Sequence, residues 1–310
     1  MIDRRTILGA SLSALALAAA RRPASAADPL VRIATLPLDA SACCYYADDR
    51  GFFKDARLDA QIQTIANGGA IVSAVASNAV EVGFTNLASA ATAYKHGVAI
   101  AIVAPGSLDL EDAPTSALVV PSASPIASAR DFEGKTIAVN GIKNITQVAA
   151  MTWIDKNGGD STKVKFVEMP FPPMIEALAA ARIDGAVVVE PFVAEAKRSS
   201  RVVADAFAAI APRLLIGCWI AAPAWAKANP ATVTAFARSM ARAADWANAN
   251  HPASATILER VGKLTPQTVS AMTRVRYATT ARVAEMQPVI DACAKYGIIP
   301  ATFAAGELLA

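Results

Sequence analysis

The first clear alternation of apolar and polar positions is Val31-Arg32-Ile33-Ala34-Thr35-Leu36, whose period of two and β-branched content predict a strand. Pro37 breaks it, and Ser41 is placed to cap a helix running through Tyr45-Tyr46 to Phe52. A second strand is expected over residues 58–65, after which Asn67-Gly68-Gly69 leads into a helix over 70–77. A third strand over 80–84 ends at Thr85-Asn86. A helix over 88–96 stops at Gly97, and another strand covers 99–103. Strands alternating with helices at this spacing predict βαβ units around a largely parallel sheet.

The pattern then restarts. A strand is expected over 135–139, a helix ending near 156, a strand over 163–169, a helix over 173–181, and a strand over 183–189 that runs into Glu190-Pro191-Phe192. In both halves a helix leads through a short turn into an acid-bearing strand: Ser77-Asn78-Ala79-Val80-Glu81-Val82-Gly83 against Ala181-Arg182-Ile183-Asp184-Gly185-Ala186-Val187. Val31 precedes Glu81 by 50 residues and Ile137 precedes Asp184 by 47, which is a coarse internal duplication. A strand over 214–220 follows, then helices over 230–250, 253–261, 266–274 and 281–296, whose apolar faces need a host. Packing them on the first half makes that half discontinuous, with chain crossings near 113–117 and 213–219. The expected fold is α/β: two similar lobes joined by a two-strand hinge around a cleft, with extra C-terminal helices. Lobe 1 comprises 27–115 plus 216–310, and lobe 2 comprises 116–215.

The start of the chain follows another logic. Arg4-Arg5, an apolar run over 7–20 and Ala24-Ser25-Ala26 are ordered as the charged, apolar and cleavage regions of a secretory signal peptide, expected over 1–26. Arg4-Arg5-Thr6-Ile7-Leu8 also looks like a twin-arginine (Tat) motif, with Asp3 where Ser or Thr is usual; an ordinary Sec signal is the alternative. The whole chain has 29 Lys+Arg and 26 Asp+Glu; the first 26 residues hold four arginines and one aspartate, so 25 of each sign remain. A neutral mature protein gives no electrostatic case for nucleic acid or an anionic membrane. Four cysteines at irregular spacing permit one disulfide without forming a framework, and His96 and His251 belong to no cluster, so neither a metal nor a cofactor is expected.

Leu36 to Phe53, ending Tyr46-Ala47-Asp48-Asp49-Arg50-Gly51-Phe52-Phe53, resembles the opening of type II periplasmic substrate-binding proteins of ABC importers. The resemblance is to the NMT1/THI5-like branch, which includes nitrate-, taurine-, alkanesulfonate- and thiamine-precursor-binding proteins. Gly68-Gly69-Ala70 with the strand at 79–84 is similar to that family's second loop and third strand. Asp131-Phe132-Glu133-Gly134-Lys135-Thr136-Ile137-Ala138-Val139 is similar to the start of its second lobe, and Asp184-Gly185-Ala186-Val187-Val188-Val189-Glu190-Pro191-Phe192 to its closing strand. The similarity covers about residues 31–219. It implies a periplasmic monomer that captures a small-molecule solute between its lobes and delivers it to a membrane permease.

In an open α/β sheet, ligands bind beyond the carboxyl ends of strands, where helix starts converge. That rule selects Asn67, Gly68, Gly69, Thr85, Asn86, Asn140, Gly141, Asn144, Thr146, Glu190 and Phe192 as candidate ligand-binding residues. Turns and caps are the competing roles for the asparagines and glycines, and a hinge role competes for Glu190. Trp219, at the return crossing, is read as stacking on ligand or filling the core. The resemblance places the first helix start at the ligand, which adds Asp39, Ser41, Cys43, Cys44 and Tyr45. Cys43-Cys44 lacks a lipobox, since Ala40 stands where an apolar residue such as Leu is needed, and it has no CxxC spacing; it is read as a small, polarisable wall. Tyr45, Phe84, Phe171, Phe192 and Trp219 supply stackable surface with little charge nearby, which favours a small organic solute. An alkanesulfonate- or nitrate-type anion is the alternative ligand, and a sensor role the alternative function. A fungal pyrimidine synthase shares the superfamily, but no catalytic set can be assembled from these loops, so no enzyme is expected.

Overall fold

The computed structural model describes residues 27–65 and 67–310; the export signal expected over 1–26 lies outside them. In chain order the first half holds β1 (Leu30–Thr35), α1 (Cys43–Asp49), α2 (Phe52–Asp55), β2 (Asp59–Thr64), α3 (Gly68–Ala76), β3 (Val82–Asn86), α4 (Leu87–Lys95), β4 (Ala101–Pro105) and β5 (Ser107–Leu110). Then come β6 (Ser116–Pro121), β7 (Thr136–Val139), α5 (Ile145–Lys156), β8 (Lys165–Glu168), α6 (Phe171–Ala179), β9 (Gly185–Val189), α7 (Phe192–Ala196) and β10 (Ser200–Ala204). The chain returns through β11 (Arg213–Leu215) and β12 (Gly217–Ala221), and finishes with α8 (Pro223–Ala228), α9 (Pro230–Ala249), α10 (His251–Gly262), α11 (Pro266–Ala271), β13 (Arg276–Tyr277) and α12 (Val283–Lys295).

The duplication is visible in the sheets. One has strand order β2-β1-β3-β12-β4, the other, read from its opposite edge, β8-β7-β9-β6-β10. In each, the first three strands are parallel and the fourth is antiparallel, supplied by the chain as it crosses between the lobes. The central strands β3, β9 and β12 are almost wholly buried, with β9 and β12 apolar throughout, as expected where helices cover both faces. The paired acids also have one job. Glu81 accepts from the Arg32 N–H at 2.7 Å and Asp184 from the Thr136 N–H at 2.8 Å, each tying the start of its strand to the neighbour. The turns before them carry left-handed residues, Asn78 (φ 57°) and Ala181 (φ 51°).

The crossing strands β5 and β11 pair antiparallel, and β13 adds to the other side of β5. The strand expected over 214–220 is two strands, because the chain kinks between β11 and β12. Gly106 and Gly217 make the kink: the Gly106 N–H donates to the Gly217 carbonyl at 3.0 Å, and a Cβ on Gly217 would lie 2.2 Å from Phe84 Cζ. The C-terminal helices pack on the first sheet's helices. Phe236 of α9 stacks on Phe53 with ring centres 5.9 Å apart, and the Ala310 N–H donates to the Ile102 carbonyl beside β4.

Candidate functional site

A cavity of about 250 Å³ lies between the carboxyl ends of the two sheets. From the first lobe it is lined by Leu36, Pro37 and Leu38, which follow β1, and by Asn67 after β2. From the second come Asn140 after β7, Glu168 at the end of β8 and Pro170 beyond it, Phe171 and Pro172 of α6, and Phe192 of α7. Phe171 and Phe192 stack with ring centres 4.9 Å apart and planes 20° from parallel, forming an aromatic wall.

Short polar networks hold this lining in place. Ser41 Oγ donates back to the Leu36 carbonyl at 2.7 Å and lies 3.2 Å from the Leu38 carbonyl, fixing the Pro37 turn. Asn67 caps α3, accepting from the Ala70 N–H at 2.9 Å. Behind it Thr85 Oγ1 donates to the Gly68 carbonyl at 3.1 Å; a Cβ on Gly68 would stand 2.6 Å from that hydroxyl, so the close approach requires glycine. Asn144 caps α5, its Oδ1 accepting from the N–H groups of Thr146 and Gln147 at 3.0 and 3.3 Å. That orientation leaves Asn144 Nδ2 to donate to Asn140 Oδ1 at 2.8 Å, and Thr146 Oγ1 lies 3.0 Å from the same oxygen. Asn140 Oδ1 is thereby occupied, and its Nδ2 has no partner among the described residues. Glu168 Oε2 accepts from the Ile142 N–H at 3.0 Å.

The profile of the family described as NMT1/THI5 like matches residues 40–255. The chain belongs to that family. No curated protein matches the sequence. Among solved structures, the alkanesulfonate-binding protein SsuA from Xanthomonas axonopodis pv. citri, bound to MOPS, aligns with TM-score 0.76 at 17% identity, over 92% of this chain and 99% of that one. The periplasmic aliphatic sulphonate binding protein SsuA from Escherichia coli aligns with TM-score 0.74 at 13% identity, over 91% and 92%. The periplasmic nitrate-binding protein NrtA from Synechocystis PCC 6803 aligns with TM-score 0.72 at 10% identity, over 88% and 82%. At these identities the shared property is the type II periplasmic-binding fold. Among the described residues of this family member, no helix is long and apolar enough to cross a membrane.

Of the residues singled out from the sequence, Asn67, Asn140, Phe171 and Phe192 line the cavity. Gly68, Gly69, Thr85, Gly141, Asn144 and Thr146 stand directly behind them, while Asn86 caps α4 by accepting from the Ser89 N–H at 2.9 Å. Although both end a strand, Asn67 and Asn140 do not occupy equivalent places: Asn67 follows β2, Asn140 follows β7, and the counterpart of β7 is β1. Ser41 is not the cap of α1, whose cap position is Ala42.

Asp39 turns away from the cavity. Only 1% exposed, it accepts from the Val275 N–H at 2.9 Å, from Arg274 Nε and Nη2 at 3.1 Å each, and from the Tyr277 hydroxyl at 3.1 Å. Burial alone would lower the Arg274 pKa, but Asp39 and the two tyrosines raise it on balance. Tyr46 closes this cluster, accepting from Arg274 Nη2 at 2.9 Å, and Tyr45 packs outward with its hydroxyl 3.1 Å from Thr64 Oγ1. Cys43 and Cys44 are free and buried in the first lobe's core, where burial pushes the Cys44 thiol up to about 12 and Cys43 upward also. Trp219 is fully buried between Phe84 and Phe236, with ring centres 5.2 and 5.9 Å away, so it fills the core.

Glu190 bridges the lobes. Its Oε1 accepts from the Thr273 N–H at 3.0 Å and its Oε2 from the Ala194 N–H at 3.1 Å, and burial raises its pKa to about 7. Glu168, Arg274 and the prolines before and within the first turn of α6 were not singled out. Glu168 reads in sequence only as the end of a strand, and Arg274 is 235 residues from its partner Asp39.

Proposed function

We propose that this protein is an exported, periplasmic solute-binding protein that captures a small organic molecule between its lobes and delivers it to an ABC-importer permease. The observation that carries the reading is the cavity between the sheet ends, built from both lobes and walled by the Phe171–Phe192 stack. Its volume, about 250 Å³, is just below the roughly 300–1,000 Å³ usual for ligand pockets, which suits one ring or a short chain. Asn67, Asn140 and Phe192 are assigned to the ligand, with the residues behind them as its support. The bodies that close are residues 27–115 plus 216–310 against residues 116–215, in a monomer that leaves the cytoplasm by the Tat route read from Arg4-Arg5. The reading assigns binding and delivery, and no reaction.

A thermal-shift panel of nitrate, taurine, alkanesulfonates, pyrimidines and aromatic acids tests it. Stabilisation by a flat organic compound, accompanied by contraction of the X-ray scattering profile as the hinge closes, is the expected outcome. Stabilisation by bare oxyanions alone would overturn the choice of ligand class and favour the anion reading suggested by the names of the sulfonate- and nitrate-binding neighbours.

A further inference from the structure

Oxyanions are commonly held by free N–H groups at helix starts, often with a cation. Around this cavity several of those donors are already taken. The Ile142 N–H donates to Glu168 at 3.0 Å, the Lys143 N–H to Gln147 Oε1 at 2.7 Å, and the Thr146 and Gln147 N–H groups of α5 to Asn144 Oδ1. At α7 the Ala194 N–H is occupied by Glu190. At α6, whose first residue is Phe171, the next two positions are Pro172 and Pro173, which have no N–H at all. The α3 start, at Gly68 and Gly69, keeps N–H groups without a partner among the described residues.

The charge at the site points the same way. Among the described lining residues the only ionisable side chain is the acid Glu168; none is Lys, Arg or His. Its Oε2 is engaged by Ile142, its Oε1 has no described partner, and it is solvent-accessible beside the Phe171–Phe192 wall. An anion entering here would lose water, meet a carboxylate and find few donors in exchange.

We propose that Glu168 selects ligand charge, so that the cavity takes a flat organic cation: a protonated amine or amidine that donates to Glu168 while its apolar body lies against Phe171 and Phe192. Asn67 and the open α3 start accommodate a neutral acceptor atom at the other end. This rests on the solute-binding reading above and narrows its substrate class against the sulfonate and nitrate in the neighbours' names.

The test is calorimetric titration of the folded full-length mature protein with benzamidine, uncharged benzamide and benzenesulfonate, which share one ring and differ in head-group charge. Wild type should bind benzamidine best and benzenesulfonate worst. Glu168→Gln keeps an acceptor for the Ile142 N–H, and should weaken benzamidine roughly tenfold while changing benzamide little. Tighter binding of benzenesulfonate than benzamidine by wild type, or an unchanged benzamidine-to-benzamide ratio in Glu168→Gln, overturns the charge selection. Phe171→Ala separates the two readings. If it abolishes binding of whichever probe is bound, the cavity reading stands even where charge selection fails. If probes bind and Phe171→Ala does not matter, or if no probe binds, both fall.

Discussion

At the carboxyl ends of β1 and β7, the equivalent first strands of the two sheets, the chain disposes of its polar side chains in opposite directions. After β1, Asp39 turns into the core and is consumed by Arg274, Val275 and Tyr277, so the first lobe shows the cavity mainly Leu36, Pro37 and Leu38. After β7, Asn144 and Thr146 are spent on holding Asn140, whose Nδ2 remains available, and Glu168 stands at the end of the neighbouring strand. One lobe uses its polarity for stability and the other presents it. Substitutions at matched places should therefore separate into effects on folding and effects on ligand.

Asp39→Ala should give the largest effect. It leaves Arg274 charged and unpaired inside the first lobe, and removal of one partner from a buried pair typically costs about 3–5 kcal/mol. Denaturant unfolding should show that loss, and Asp39→Leu combined with Arg274→Met should recover a large part of it. A single-variant cost below about 1 kcal/mol would mean that the first lobe does not depend on the pair.

Next in size is a pH dependence at the places where the lobes meet. Burial raises Glu190 from its ordinary 4.5 to about 7 and Asp109, beside the hinge, from 3.8 to about 6. Asp39 adds to the first shift and Asp205 to the second, while Lys197 and the Thr115 hydrogen bonds oppose them. The folded protein therefore retains these protons where the unfolded chain has released them. Stability should be greatest at the acid end of this window and fall as pH rises from about 4 through about 7, by roughly 3 kcal/mol for each full shift. Glu190→Gln should flatten the upper part of that slope in unfolding experiments run from pH 4 to 8; an unchanged slope would show that Glu190 stays ionised, held by the Thr273 and Ala194 N–H groups.

The two asparagine caps offer a finer contrast. Asn67→Ala and Asn144→Ala should each cost about 1 kcal/mol of stability, as loss of a helix cap does. Asn144→Ala also frees Asn140 to rotate, so it should weaken ligand further than its stability cost implies, although Asn144 itself does not line the cavity. Asn67→Ala removes a lining side chain and should weaken ligand directly; binding by Asn144→Ala that falls no further than its stability cost implies would show that Asn140 needs no support from Asn144.

Much of this architecture was legible from period alone. The restart of the β-α pattern and the matched acids Glu81 and Asp184 reappear as two sheets of one topology, each acid holding a strand end. The short strands β5, β10 and β13 escaped because two to five residues carry too little alternation to be separated from loop, and the kink at Gly217 depends on Gly106, 111 residues earlier. At the site, position was legible and direction was not. The loops after the strands do meet at a cavity, yet whether Asp39 faces ligand or core is decided by Arg274, and nothing local to Asp39-Ala40-Ser41 signals that partner. Cys43-Cys44 and Trp219 were drawn toward the cleft by the same proximity and belong to the core behind it.

The smallest effect bears most directly on what the second lobe presents. Pro172 and Pro173 suit the first turn of α6, where N–H groups lack helical partners anyway, so replacing both by alanine should move stability by about 1 kcal/mol or less. The replacement nevertheless restores two N–H donors at a helix start that borders the cavity through Pro172. A helix start favours a nearby anion by about 0.3–1 kcal/mol, which corresponds to roughly two- to fivefold in affinity. Benzenesulfonate binding to Pro172→Ala/Pro173→Ala should rise by that factor, and combination with Glu168→Gln should raise it further. No gain in either background would show that the missing donors are irrelevant to ligand choice, and that exclusion of anions depends on Glu168 alone.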